Sequence, residues 1–255
     1  MKICELYAFL NEKMPPSLSC PWDNDGLMCC PDGEAEVRRV LVALDVTGRV
    51  IDEAVAGGYD LIVSHHPMVF DPLKRVESSD PVAKKVIRLI REGISVMSFH
   101  TRLDAVEGGV NDTLAQLIGL CDAQAFGPKD EEIGRIGYLP TPMPLAEFAA
   151  RVKALTGAQM VQTSDAGKAV HRVAILGGSG SSFLQAAIDA GADTYFSGEL
   201  KHNWLTDAPD LGINLVAAGH FDTEDPVCKT LCAWIKEADA TVRVHIVNSN
   251  PVRVI

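Results

Sequence analysis

No stretch of this sequence approaches the roughly 20 consecutive apolar residues of a bilayer-spanning helix, which excludes a helical membrane span. The opening segment, MKICELYAFLNEKMP, also lacks the continuous apolar core of a signal peptide. It reads instead as an amphipathic helix with Ile3, Leu6 and Leu10 facing inward, and a cytoplasmic location is the default expectation. The seven cysteines, at 4, 20, 29, 30, 121, 228 and 232, contain no CxxC pair and read as small, reduced, buried side chains. Basic residues are outnumbered, 23 against 34 acidic ones, and the net charge of −11 argues against a nucleic-acid partner. An anionic substrate would need local help from metals or a few placed cations. The Gly-rich GGSGSS at 177–182 lacks the Gly-Lys-Ser/Thr ending of a nucleotide P-loop, and reads as a tight turn before it reads as a phosphate cradle. The Asp-x-His and Gly-Asn-His-Asp motifs of metallophosphoesterases are missing as well.

What is present is a soluble composition, 47% hydrophobic and 22% charged, in a chain long enough for a substantial core. Strand and helix patterns alternate. Strands are expected at Val40–Leu44, Leu61–Val63, Ser95–Phe99, Arg172–Leu176, Thr194–Phe196, Leu215–Ala218 and Val242–Val247, with GRIGYL another. Helices are expected at Arg49–Ala56, Pro81–Glu92, Val110–Ile118, Pro144–Leu155, Ser181–Ala190 and Pro226–Lys236. This is the rhythm of an α/β protein.

The two halves resemble each other. Setting Arg39 on Arg172 brings Val40 to Val173, Ala54 to Ala187, Gly58 to Gly191, Asp60 to Asp193 and Ser64 to Ser197. A slightly different offset sets His100 on His220 and Asp104 on Glu224. The expectation is two related α/β lobes facing each other across a cleft, divided near the polar FGPKDEE: residues 1–126 carry SHHP and HTRLD, and residues 127–255 carry GGSG, SGELKH and GHFDTE.

Ligands of α/β sheets gather beyond the carboxyl ends of the strands. The unusual residues lie there: His65 and His66 after one apolar run, His100 with Asp104 after the next, His220 with Glu224 after a later one. Imidazoles with carboxylates suit Zn, Mn, Fe, Co or Ni rather than Ca or Mg. Two carboxylates among several histidines fit two divalent ions about 3.5–4 Å apart.

The segments PWDNDGL, SHHPMVF, FHTRLDAVEGGVND, GGSGSS, DTYFSGELKH and AAGHFDTE, in that order, resemble the Nif-three-like family of dinuclear metal-centre proteins, whose bacterial members are often labelled type-2 GTP cyclohydrolase I. The resemblance runs from near the N-terminus to about Ile235. It implies His65, His66, Asp104, His220 and Glu224 as metal ligands, a fold of paired α/β lobes and a homohexameric ring. His100 and His202 are then left to orient groups or transfer protons, and Lys201 and Arg102 are the nearest basic candidates for an anionic group. The implied activity is a metal-dependent hydrolase opening the purine ring of GTP at C8; the alternative is a non-catalytic ring protein that binds metal or partners. Two positions depart from the family pattern: Asp25 where an apolar residue is usual, and Arg102 where a small polar one is.

Overall fold

The computed structural model describes residues 1–254 and divides into two compact units. The first comprises Met1–Leu103 and Cys228–Pro251, the second Asp104–Val227 and the terminal segment.

The first unit opens with α1 (Ile3–Lys13), which buries Ile3, Leu6 and Leu10 on one face as the three- and four-residue spacing requires. Next come β1 (Gly26–Cys29), β2 (Arg39–Ala43), α2 (Gly48–Gly57), β3 (Leu61–Ser64), α3 (Pro81–Glu92), β4 (Ser95–Ser98) and α4 (Thr101–Ala105). Local signals set the ends of these helices. The Asp80 carboxylate caps α3 by accepting from the amides of Val82 and Ala83, and Pro81 occupies the first turn, where no amide is needed. Gly58 and Gly93 close α2 and α3 in the left-handed conformation.

The second unit holds α5 (Val110–Ile118), β5 (Cys121–Phe126), β6 (Gly134–Met143), α6 (Leu145–Thr156), β7 (Gln162–Ser164) and β8 (Val170–Ser179). It continues with α7 (Leu184–Asp189), β9 (Thr194–Glu199), α8 (His202–Leu211), β10 (Asn214–Ala217) and α9 (His220–Glu224). The chain then returns to the first unit with α10 (Cys228–Ala238) and β11 (Arg243–Ile246). This return separates the units from the expected 1–126 and 127–255 division. The amides and carbonyls of β11 pair in parallel with β2, so the end of the chain completes the first sheet.

That sheet has the order β1-β4-β3-β2-β11, parallel except for β1; the other runs β5-β6-β8-β9-β10-β7, with β8, β9 and β10 parallel. Strands buried on both faces read as continuous apolar runs, which is why β2, β3 and β10 were legible. The sequence reading lacks β1, β5, β7 and the helices α4, α8 and α9. Five of the six β5 residues are exposed, so it carries no apolar pattern. Helix α8 contains Pro209, whose missing amide falls in its last turn and removes one hydrogen bond without ending the helix.

The internal repeat is physical. The Asp60 carboxylate accepts from the amides of Arg38 and Arg39, and the Asp193 carboxylate accepts from those of His171 and Arg172. The Asp60 amide donates to the Arg39 carbonyl and the Asp193 amide to the Arg172 carbonyl, both at 3.0 Å. The same aspartate thus staples the start of one strand to the start of the next in each unit. The third strand of the repeat differs by one residue from the sequence pairing. Leu61 pairs with Ser95 and its counterpart Thr194 with Asn214, so Gly219, not His220, stands where His100 does. Among the described residues, no helix is long and apolar enough to cross a membrane.

Candidate metal centre

The ends of β3 and β4 carry the clustered histidines of the first unit, and Asp45 follows β2. His65 follows the last residue of β3 and is fully buried. Its Nδ1 lies 2.9 Å from the Phe99 carbonyl oxygen, which can only accept, so Nδ1 bears the proton and Nε2 the lone pair. His66 is held the same way, Nδ1 donating to Asp45 Oδ1 at 2.7 Å while its amide donates to the Leu44 carbonyl. Asp45 in turn accepts from Ser249 Oγ. The His100 ring donates from Nδ1 to Asp23 Oδ1 at 2.8 Å. Carboxylate or carbonyl partners on Nδ1 orient a ring and raise the basicity of Nε2, the arrangement found behind metal-bound histidines. His65, His66 and His100 form a group that could hold an ion, one ring nitrogen from each lying within 4.8 Å of the others.

Asp23 was not expected. Burial alone would raise its pKa, but hydrogen bonds from His100 and Thr101, with the nearby imidazole, outweigh burial and bring it to about 2. A carboxyl lowered from 3.8 stabilises the fold above pH ~4, and that stability is lost as pH falls toward 2. Asp23→Asn should remove about 2 kcal/mol of this pH dependence between pH 4 and 2. Urea unfolding at pH 6, 4 and 2.5 checks it, and parallel pH profiles for both proteins would refute the assignment.

Arg102 contradicts the role given to it. It is 1% exposed, its Nε donates to Asp25 Oδ2 at 2.9 Å, and its Nη1 donates to Asn11 Oδ1 and the Met14 carbonyl. The guanidinium also lies over the Phe99 ring, 4.7 Å from its centre. An arginine so enclosed cannot contact a substrate. Asp25 and Arg102 are therefore partners in one buried ion pair.

In the second unit, His220 and Glu224 sit one turn apart on α9. Nε2 and Oε2 are 3.1 Å apart, and the His220 Nδ1 faces Glu199 Oε2 at 3.2 Å. Asp104, on α4, is buried, and its carbonyl accepts from Asn111 Nδ2. Asn111 Oδ1 accepts the Gly177 amide, and Thr223 Oγ1 accepts the Gly178 amide. The Gly180 amide is taken by the Glu199 carbonyl. These three glycine amides are thus tied into the fold, as in a structural turn. Its role is clearance: Gly178 has φ +64°, and a Cβ there would overlap Glu224 Oε1 and come within 2.9 Å of His220 Nε2. Gly178→Ala should therefore displace Glu224 and lower stability by about 1–2 kcal/mol from backbone strain alone. Thermal melting and bound-metal analysis check it; unchanged values in both would refute the clearance role. His202 is exposed at the start of α8, and Lys201 beside it is exposed too.

The donors fit a first-row divalent metal. Two ligands at about 2.0–2.1 Å in tetrahedral geometry stand about 3.3 Å apart, close to the 3.1 Å separating His220 Nε2 from Glu224 Oε2. Imidazole nitrogens with carboxylate oxygens are the donor chemistry of Zn, Fe, Mn, Co and Ni. Asp45, Asp23 and Glu199, which hold His66, His100 and His220, were missed because a lone strand-end carboxylate has no sequence signature. Their sequence-level clue was position: Asp45 follows β2 closely, and Glu199 ends β9.

The family profile of DUF34/NIF3 (NGG1p interacting factor 3) matches residues 1–251. The chain belongs to this family. Among DUF34/NIF3 relatives, a Clostridium perfringens protein named GTP cyclohydrolase 1 type 2 homolog is 32% identical, covering 93% of this chain and 92% of its own. The Schizosaccharomyces pombe protein NIF3 homolog is 35% identical, covering 92% of each. The crystal structure of Staphylococcus aureus protein SA1388 superposes with a TM-score of 0.88 at 26% identity, over 100% of this chain and 99% of that one. The structure titled protein ybgI, unknown function, gives 0.87 at 27% identity, over 99% and 100%. The α/β architecture expected from the sequence is thus that of the NIF3 superfamily.

Proposed function

We propose that this chain is a metal-dependent hydrolase of the GTP cyclohydrolase I type 2 kind, with His65, His66, Asp104, His220 and Glu224 as ligands of two divalent ions. The observation that carries the reading is the matched hydrogen bonding of His65, His66 and His220. Each offers Nδ1 to an oxygen acceptor and so presents Nε2 as the donor. Such ions, when bound, lower the pKa of a coordinated water and supply hydroxide near neutral pH. Asp45 and Glu199 keep the ligand rings from rotating. His100, gripped by Asp23 at Nδ1, is the group that would accept or return a proton at Nε2 during opening of a purine ring at C8. His202, exposed at the start of a helix, is the second candidate for moving a proton. Support for GTP as substrate comes from the relatives' names, and a homohexameric ring is the assembly proposed with it.

The test is metal-reconstituted protein incubated with GTP and a panel of other nucleotides and phosphoesters. Formate or dihydroneopterin triphosphate released from GTP, and lost in His66→Ala and Glu224→Ala, would support the reading. Two bound metals with no turnover of any compound would favour a non-catalytic metal-binding protein. His100→Ala is expected to reduce turnover about 10²–10⁴-fold with metal content unchanged. A turnover loss explained entirely by lost metal would remove His100 from proton transfer. Light scattering tests the assembly, with a mass near six times 27.4 kDa expected.

A further inference from the structure

One long connection of the first unit is hardly fastened to the rest of it. Strand β3 ends at Ser64 and α3 begins at Pro81. The loop between them exceeds the roughly 12–15 residues beyond which structureless loops are uncommon and usually functional. Its ends are anchored. The His66 amide donates to the Leu44 carbonyl, Met68 and Val69 pack on the core, and Asn24 Nδ2 donates to the Val69 carbonyl at 2.6 Å. At the far end the Asp80 carboxylate caps α3. Between these anchors, among the described residues, no hydrogen bond joins residues 70–79 to any other element. A single long bond from the Asp80 amide to the Glu77 carbonyl, at 3.3 Å, is all that the stretch makes. Asp71, Lys74, Arg75 and Glu77 lie close in sequence, yet none of them forms an ion pair. A cavity of about 640 Å³ is lined by Met68, Phe70, Leu73 and Val82, so the stretch is not packed down on the start of α3. Few fastenings and free space are the marks of a segment that opens at low cost.

What the stretch covers is His100. The Phe70 ring meets the imidazole edge-on, 6.2 Å away at 85°. Trp22 meets the same imidazole at 6.1 Å and 76°, and the Trp22 and Phe70 rings stand 6.3 Å apart. With their neighbours they leave the His100 side chain only 19% exposed. Trp22 belongs to a fastened turn. The amide of Asp23, next to it, donates to the Cys20 carbonyl, and the Asp23 carboxylate accepts from His100 Nδ1 and the Thr101 amide. Phe70, by contrast, is the first residue of the unfastened stretch. One side of the cover is built in, and the other is free to swing.

We propose that residues 70–79 are a lid over His100 that swings about Val69 and Asp80. Closed, Phe70 lies against Trp22 and keeps water from the imidazole. Open, it clears a path to His65, His66 and His100. Such a lid shields a proton-transferring group from water, and its opening sets how fast ions and small molecules come and go. Because a gate acts on the barrier and not on the bound state, a looser lid speeds entry and exit by the same factor. The lid's purpose rests on the hydrolase reading, but its motion is tested without turnover.

The experiment follows carbethoxylation of His100 by diethylpyrocarbonate in the full-length protein, read by peptide mass spectrometry. Exposed His202 serves as the internal reference. In the wild type His100 should react more slowly than His202. Asn24→Ala removes no covering ring but frees the Val69 hinge, so His100 should react about tenfold faster, the factor one lost hydrogen bond supplies. Phe70→Ala, which removes the moving cover, should give an increase of similar size, about tenfold at most. Trypsin nicking after Arg75 should also speed the reaction, and it needs no substitution that could misfold. In zinc-reconstituted protein, capture of the metal by a chelator should quicken in Asn24→Ala while equilibrium zinc affinity stays the same. Equal rates for His100 and His202 in the wild type would mean that no closed state exists and would overturn the lid. An Asn24→Ala rate equal to that of the wild type, with Phe70→Ala faster, would make Phe70 a fixed wall and overturn it too. Turnover of a substrate with no effect of Asn24→Ala or nicking would sink the lid alone. Lid motion without turnover of any compound would sink the hydrolase reading alone.

Discussion

Arg102→Leu is expected to destabilise the protein by about 3–5 kcal/mol, the usual loss when one partner of a buried ion pair is removed. Asp25 would be left almost buried, with its side chain 6% exposed, and without the guanidinium that neutralises it. The Asn11 side chain and the Met14 carbonyl would each lose a donor. The double variant Asp25→Leu with Arg102→Leu should recover most of that loss, because apolar groups replace both charges together. Recovery should be incomplete, since Asp25 also accepts from Ser19 Oγ and from the His100 amide. Urea unfolding of the wild type, the two single variants and the double variant gives the coupling energy directly. Single variants that each lose less than about 1 kcal/mol, or losses that simply add, would mean that Asp25 and Arg102 are not energetically coupled. The His100 amide bond links this pair to the residue proposed for proton transfer. Arg102→Leu should also lower His100-dependent turnover, whereas the double variant should retain more of it.

The second large effect concerns the proposed metal ligands and the carboxylates behind them. His66→Ala removes a proposed ligand, so bound metal should fall from the proposed two ions per chain to one or none after dialysis. Turnover of whichever compound proves to be the substrate should vanish with it. Asp45→Ala acts differently: the His66 ring stays but loses the 2.7 Å hydrogen bond that fixes its tautomer and direction. Metal affinity should then drop about 10–100-fold with stoichiometry preserved at saturating metal. Competition with a chelator of known affinity, read by absorbance, separates the two behaviours. If Asp45→Ala leaves affinity unchanged, the tautomer argument for His66 is wrong. If His66→Ala still binds two ions as tightly as the wild type, the proposed ligand set is wrong.

Legibility followed burial. β3 was readable because all four of its residues are buried and its apolar run stands between Asp60 and the two histidines. α3 was readable to the residue because Pro81 and Gly93 bracket an amphipathic pattern. β5 has no buried face along most of its length, and α8 is interrupted in pattern by Pro209, so neither announced itself. The Asp60 and Asp193 staples confirmed a repeat that residue identities alone supported modestly. The one-residue shift at Gly219 was invisible because an identity match cannot sense backbone direction, and Gly219 turns the chain at φ +92°.

Arg102 is the instructive failure. Within the HTRLD motif, an arginine reads as a cation for substrate, and only its depth shows otherwise. Asp25 and Arg102 are 77 residues apart, and nothing local relates them.

The sequence by itself determined the α/β class, the repeated strand–helix order and the histidines and carboxylates gathered at strand ends. All three follow from periodicity and residue chemistry, which are local. Only the tertiary structure decided that Asp45, Asp23 and Glu199 hold the rings, that Gly178 is small to clear Glu224, and that Arg102 is a buried partner of Asp25. Hydrogen-bond partners and burial depend on which strand ends fold side by side, and that proximity has no counterpart in the order of residues along the chain.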